Sequence, residues 1–550
     1  MKSRFVKLEK PLICVLIIIG ILGVLGRFYQ ITQNQFVYYD EGMWLGAGRD
    51  FVSLLQHNLP KDFNELINVL RINLHLSLAS AKALWLFLAN LRGLFFQDEA
   101  WYFTRLISAI FGSLTLIVTY FFAKRYFESK WTALLSMALL AILPSHFYYS
   151  RVGLQETFST FWFLLGLYFY LYPRKVAWQT FCSSIFLSLV FFANYRMIII
   201  PILILFVELF ATFAQKQKLD IRKYIWHTLT FLAIIFFVGN IDQGKNSHIT
   251  FSWMLHQKDL AGEEFDWFNF FSYPYYIFRL ESIPFGFLFF GNIYFAIKRQ
   301  WLKLLPFSLV CLQMILFSFA QEKGVRYICV VLPLMVMAVS VFLIDFWQEL
   351  EKRKLLGVWL FAVIALITIQ ILKVNRIMHF HTDYEVSMKD IKRQSDDAKV
   401  LSTQSMVQKL FTRDVSRVKD PPLAWENFVV LESEGFNYLV IDPQAYISFT
   451  QDGLRFSPQL KGYLEFIVRK IPPVKVYRHF NPELLERFVL EHNVNLRRSL
   501  NFLNANTKGQ LGMMRVYDMK QCVTIMKQIS DAQLRHKNMK NFGLNNNHLL

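Results

Sequence analysis

The chain is 550 residues long, 54% hydrophobic and 17% aromatic, with only 18% charged residues. So apolar a composition, with 56 Phe, excludes an ordinary soluble domain or a disordered chain and points to a polytopic membrane protein. The net charge of +19 would suggest nucleic acid in a soluble protein, but much of the basic excess falls in short loops between apolar runs and no basic-aromatic module is present, so no nucleic-acid partner is expected.

Apolar runs of about 17–25 residues are long enough to cross a hydrocarbon core. They fall at 11–30, 104–123, 131–149, 155–172, 178–193, 196–213, 225–241, 283–297, 304–320, 326–345 and 356–373, which predicts eleven transmembrane helices. The first is too long for a removable signal and lacks a small-residue cleavage site, so a retained anchor is expected. Basic clusters (Lys2 to Lys10, Lys124 to Lys130, Arg174-Lys175, Lys216 to Lys223, Lys298 to Lys303, Lys352 to Lys354) occupy every second connection. The positive-inside rule makes those connections cytoplasmic and the amino terminus with them. The intervening connections carry Asp40-Glu41, Arg151 to Glu156, Asn194-Tyr195-Arg196, a polar loop at 242–281 and Gln321 to Arg326. Charged chemistry therefore converges on the outer face, where the C-terminal region is also expected.

Within the first outer loop, residues 31–103, Trp44 to Leu55 and Leu66 to Phe95 have helical spacing of apolar residues and read as interfacial helices. Asn73, His75, Lys82 and Asn90 oppose the alternative of a further span over 72–91. Residues 1–373 thus form a transmembrane domain, and 374–530 an extracytoplasmic α/β domain. Its predicted strands lie at Lys399 to Thr403, Phe436 to Ile441, Val474 to Phe480 and Met514 to Met519. No glycine-rich phosphate loop occurs there, and 531–550 read as a disordered tail. The five Cys lie mostly within spans, so neither a disulfide framework nor a thiolate metal site is expected.

A carboxylate at the membrane face can act as a general base if an acceptor proton lies within reach. Asp40 and Glu156 on one face could share that work. Arg196, Lys323 and Arg326, each at an outer span boundary, suit a phosphate or pyrophosphate. Simpler roles stand beside these: Arg and Lys at span ends snorkel, Asp40 could cap a helix, and Glu156 could pair with Arg151.

Four motifs in order carry a family resemblance: Tyr39-Asp40-Glu41-Gly42; Arg105 to Thr115 with Tyr120; Leu143 to Glu156; and Arg326-Tyr327 with Leu332-Pro333. Over about residues 10–345 the chain resembles the GT-C superfamily of polyprenyl-phosphate-sugar-dependent glycosyltransferases, in its protein O-mannosyltransferase and aminoarabinose transferase-like branch. The resemblance implies Asp40 as catalytic base and Glu156 as second acidic residue. Arg105 would hold the loop or its phosphate, and Arg196, Lys323 and Arg326 would contact the lipid phosphate. Glu41, Arg151 and Tyr327, inside the same motifs, join the substrate-binding set. The second acid is often Asp in the family and here is Glu. Metal dependence stays open, with a divalent metal as the one cofactor to consider; His146, His379 and His381 are weak candidates. The implied reaction is inverting transfer from a polyprenyl-phosphate-linked sugar to a lipid, protein or polysaccharide acceptor, on the outer side of a bacterial inner membrane. The alternative is a transporter or flippase of lipid-linked sugars.

Overall fold

The computed structural model describes residues 2–528 except 34–37, 56–61, 79, 81, 96–101, 172–175, 217, 240–265, 321–322, 354, 413, 425, 446–457, 493–494 and 506–509. Most of the polar loop expected at 242–281, and all of the tail expected at 531–550, lie outside the described residues. The chain forms two compact units, Met1–Phe380 with Leu490–Arg497, and His381–Val489 with Arg498–Leu550.

The first unit is helical. Its N-terminal elements are α1 (Lys2–Phe28), α2 (Tyr39–Leu55), α3 (Phe63–Leu78), α4 (Ala83–Phe95), α5 (Phe103–Tyr126), α6 (Lys130–Ala141), α7 (Pro144–Tyr149) and α8 (Glu156–Leu171). They continue with α9 (Val176–Ala193), a 3-10 turn Tyr195–Ile199, α10 (Ile200–Gln215) and α11 (Ile221–Gly239). Among the described residues, seven helical segments are long and apolar enough to cross a membrane, including Pro11–Phe28, Phe103–Tyr126 and Val325–Lys352. The chain is an integral membrane protein. Several remaining predicted spans are short or broken. The run at 131–149 stops at Ala141 and restarts as α7 with Pro144 in its first turn, where a missing N–H costs nothing. The run at 283–297 divides into Ile283–Phe290 and Ile293–Ile297.

Two arginines tie these helix ends together. Arg27, fully buried in the last turn of α1, donates to the carbonyls of Ala141 at 3.0 Å and Leu140 at 3.3 Å. These are carbonyls that the end of α6 leaves without helical partners. Its guanidinium also meets His146 Nδ1 at 2.9 Å and Ser150 Oγ at 3.2 Å. In return Arg151 donates to Gly26 O at 2.6 Å and Tyr29 O at 2.7 Å, at the end of α1. The two helices lie close because Gly23 has no side chain: a Cβ there would stand 2.6 Å from Ala141 Cβ and 2.9 Å from its carbonyl oxygen. Gly20 meets only the flexible tip of Met137, at 3.0 Å. Gly23→Ala is therefore expected to destabilise by about 1–3 kcal/mol, the cost of overpacking, and Gly20→Ala by much less. Thermal unfolding of the two variants in one detergent checks this.

The stretch read as interfacial helices is a hairpin, α3 and α4, packed against α2. Its two helices are 16 and 13 residues long, each too short to be the single span considered for 72–91. The polar residues that opposed that span bond inside the hairpin: Asn73 Nδ2 donates to Phe87 O at 3.0 Å and Asn90 Nδ2 to Asn73 Oδ1 at 2.9 Å.

The second unit holds a five-stranded sheet in the order β2-β1-β3-β5-β4. The strands are β1 (Lys399–Ser402), β2 (Val418–Lys419), β3 (Phe436–Ile441), β4 (Lys475–Tyr477) and β5 (Met514–Asp518). β1 pairs in parallel with β2 and β3, while β5 runs antiparallel to β3 and β4. The four strands expected from alternating β-branched and aromatic residues are all present. β2, only two residues long, carries too little pattern to be read.

Candidate active site

The acidic pair opens α2, where negative charge suits the positive end of the helix dipole. Successive helical residues diverge by roughly 100°, so Asp40 and Glu41 face different surroundings. Glu41 is fully buried. Its Oε1 accepts the Gly153 N–H at 2.7 Å, and its Oε2 lies 3.6 Å from Nη2 of the equally buried Arg105. Gly153 permits this approach, since a Cβ there would stand 2.5 Å from Thr104 Oγ1. Arg105 Nη1 donates to Gln33 O at 2.9 Å. Glu41 and Arg105 thus lock the start of α2 to α5 and to the turn before α8.

Asp40 keeps 22% of its side chain accessible and has two cations on one oxygen: Oδ2 lies 3.2 Å from Lys82 Nζ and 3.4 Å from Arg326 Nη1. Lys82 sits in the break between α3 and α4, its ammonium 5.3 Å from the Trp44 ring. Burial pulls the Lys82 ammonium below the usual lysine range, opposed chiefly by the charge of Asp40; Arg326, Glu156 and Arg196 also act on it. Asp40, Lys82, Glu156, Arg196 and Arg326 are therefore one electrostatic cluster. Glu156, at the first position of α8 and 1% exposed, accepts from Gln155 Nε2 at 3.2 Å through Oε1, while its Oε2 has no hydrogen-bond partner among the described residues.

Arg326 lies in the 3-10 helix Val325–Val331, which leads into the helix Leu332–Lys352 with Pro333 in its first turn. Its Nε is 3.1 Å from Oε1 of Glu491, a residue of the segment Leu490–Arg497 that belongs to this unit. Tyr327, buried beside it, accepts Gln313 Nε2 on its carbonyl at 2.7 Å. Its ring lies under the Arg196 guanidinium at 4.3 Å, a cation–π contact. Lys323 Nζ donates to Ala320 O at 2.6 Å. Just before Asp40 in the chain, Tyr38 accepts from the Tyr148 hydroxyl at 3.1 Å. Burial, then Tyr148 and Glu491, push the Tyr38 phenol well above its ordinary range.

The structure divides the residues singled out in the sequence. Asp40, Glu156, Arg196 and Arg326 come together, with Tyr327 beneath Arg196. Glu41 and Arg151, grouped with the substrate-binding residues by their motifs, make contacts of their own: Glu41 is sealed against Arg105, and Arg151 caps α1. Arg105 holds the loop, one of its two expected roles. Lys82 and Glu491, which contact Asp40 and Arg326, were not singled out as candidate site residues from the sequence. A lysine in the apolar stretch Leu66 to Phe95 was a usable signal. Glu491 had none, being one carboxylate among many in a polar region. No group of three or more His, Cys, Asp or Glu side chains placed to hold a metal is found among the described residues.

Known proteins bear on this arrangement. Residues 17–252, somewhat less than half of the chain, match the family model for dolichyl-phosphate-mannose-protein mannosyltransferase. An uncharacterized protein of Aquifex aeolicus (strain VF5) is 27% identical over 285 residues, 48% of this chain and 53% of the relative, so the match spans about half of that protein's length. ArnT from Cupriavidus metallidurans in the apo state superposes with a TM-score of 0.54 at 13% identity, covering 81% of this chain and 95% of ArnT. The same protein bound to undecaprenyl phosphate gives 0.51 at 13% identity, over 80% and 95%. The apo oligosaccharyltransferase of Archaeoglobus fulgidus gives 0.52 at 11% identity, over 82% and 72%.

Proposed function

We propose that this chain, an integral membrane protein with the GT-C fold, is a glycosyltransferase that moves a sugar from a polyprenyl-phosphate donor to an acceptor hydroxyl or amine, with inversion at the anomeric carbon. One observation carries the reading: Asp40, in the first turn of α2, has Lys82 and Arg326 on one oxygen and a second carboxylate, Glu156, in the same electrostatic cluster. Asp40 takes the proton of the acceptor as that atom attacks. The bond between the anomeric carbon and the phosphate oxygen breaks, and the leaving phosphate gains negative charge. Lys82 and Arg326 stabilise that charge. Both cations contact Asp40, so a phosphate that draws them to itself loosens their hold on the base. Glu156 positions the acceptor. The match to a mannosyltransferase model and the ArnT structure with undecaprenyl phosphate support the donor class. The acceptor is a lipid, protein or polysaccharide, and the site faces the extracytoplasmic side, as the loop charges suggest.

The test is transfer of label from polyprenyl-phosphate sugars by the protein in nanodiscs, with native membrane extract as acceptor. Labelled product from the wild type supports the reading. No transfer with any donor by a folded protein sinks it and makes lipid translocation the next assay. Lys82→Ala is expected to raise the donor KM roughly tenfold or more, on the scale of losing a charge-assisted contact to phosphate. Arg at this position restores part of the loss, and donor titrations measure both.

A further inference from the structure

Arg326, whose Nη1 faces Asp40, meets a second, buried carboxyl through its Nε. Glu491 is 1% exposed, and its Oε1 lies 3.1 Å from Arg326 Nε. The Arg326 backbone N–H donates to the same group, at 3.2 Å to Oε2 and 3.3 Å to Oε1. The Tyr149 hydroxyl donates to Oε2 as well. Gly324 leaves room for this approach: a Cβ there would stand 2.9 Å from the Glu491 carbonyl oxygen and 3.0 Å from Oε1. Backbone and side chain of one cation, with a tyrosine from α7, thus converge on a single acid.

We infer that Glu491 is the positioning residue of Arg326, holding its guanidinium toward Asp40 so that a donor phosphate meets a cation already in place. The inference rests on the phosphate-binding role proposed for Arg326. An ionised carboxylate at this distance would cancel much of the charge that a phosphate needs. Burial resolves the conflict. It pushes the Glu491 carboxyl up to about 8 despite the opposing pull of Arg326 and Tyr149, with Glu156 pushing the same way. Burial thus favours the neutral form of Glu491. That form can accept from Arg326 while leaving the guanidinium's charge uncompensated on that side, which is preorganisation without neutralisation.

The experiment is binding of undecaprenyl phosphate at pH 7 to the full chain in nanodiscs, for wild type, Glu491→Ala, Glu491→Gln, Arg326→Ala and the double Ala variant. Glu491→Ala is expected to weaken binding about tenfold, within the range of couplings between contacting residues. Gln, a neutral isostere, recovers most of that loss. In the Arg326→Ala background, Glu491→Ala adds nothing. Additive losses, or Gln no better than Ala, overturn the inference. Undecaprenyl phosphate that fails to bind the wild type defeats the donor reading itself. Normal wild-type binding with an unaffected Glu491→Ala defeats only the positioning role. If Glu491→Ala does not fold, Glu491→Met, which keeps the volume and removes the acceptors, takes its place in the same cycle.

Discussion

Asp40→Asn is expected to abolish sugar transfer while leaving the protein folded. Asn has the shape of Asp and still offers an oxygen to Lys82 or Arg326, but it cannot take a proton from the acceptor. Loss of a positioned general base removes roughly 10²–10⁴-fold in rate. Undecaprenyl phosphate should still bind, because Lys82 and Arg326 are intact and no longer compete for a carboxylate. The signature is thus a collapse of kcat with donor affinity kept or improved. Transfer kinetics beside a direct binding measurement give that split, and wild-type turnover by the Asn variant would falsify the assignment of Asp40 as the base.

The neighbouring residue is expected to behave in the opposite way. Glu41→Ala leaves the Arg105 guanidinium, 1% exposed, without the carboxylate that faces it at 3.6 Å, and leaves the Gly153 N–H without its acceptor. Breaking a buried pair by removing one partner costs about 3–5 kcal/mol, most of the stability of many domains. The variant should express poorly or unfold at markedly lower temperature, and its lost activity should track its lost fold. Replacing both partners, Glu41→Leu with Arg105→Met, should recover much of the stability, since no charge is then stranded. Thermal unfolding of the single and double variants decides it. Two adjacent acids therefore separate by assay: one fails in chemistry, the other in folding.

Much of this molecule was legible because charge is scarce in an apolar chain, so each charged residue at a span boundary stands out. That is how Asp40, Glu156 and Arg326 could be grouped before any geometry was known. The direction in which a side chain points is harder to read. Asp40 and Glu41 looked like a single acidic motif, and only the roughly 100° turn between helical neighbours separates the acid that meets Lys82 and Arg326 from the one that meets Arg105. The contacts of Arg151 were hidden for a similar reason. Its partners are carbonyls at the end of α1, and carbonyls leave no mark on composition. Lys82 was noticed, but only as an obstacle to a span. Glu491 reaches Arg326 across 165 residues, a pairing that no local pattern announces. The breaks at Pro144 and within 283–297 show why counting apolar residues overstates continuous helix: hydropathy sums over an interruption that the backbone cannot ignore.

The exchange of arginines between α1 and the segment from the end of α6 to the turn after α7 also sets a timetable for biogenesis. Arg27 finds Ser150 only after 123 further residues have been made. At ribosomal rates of ~5–20 residues per second, that interval is on the order of ten seconds. Until then the end of the first helix must keep its guanidinium and its last carbonyls in water at the bilayer surface. The Arg27 side of α1 therefore gains its partners only when the later segments have been made. Nascent chains arrested before residue 151 should hold this helix loosely, and chains arrested well beyond it should hold it firmly.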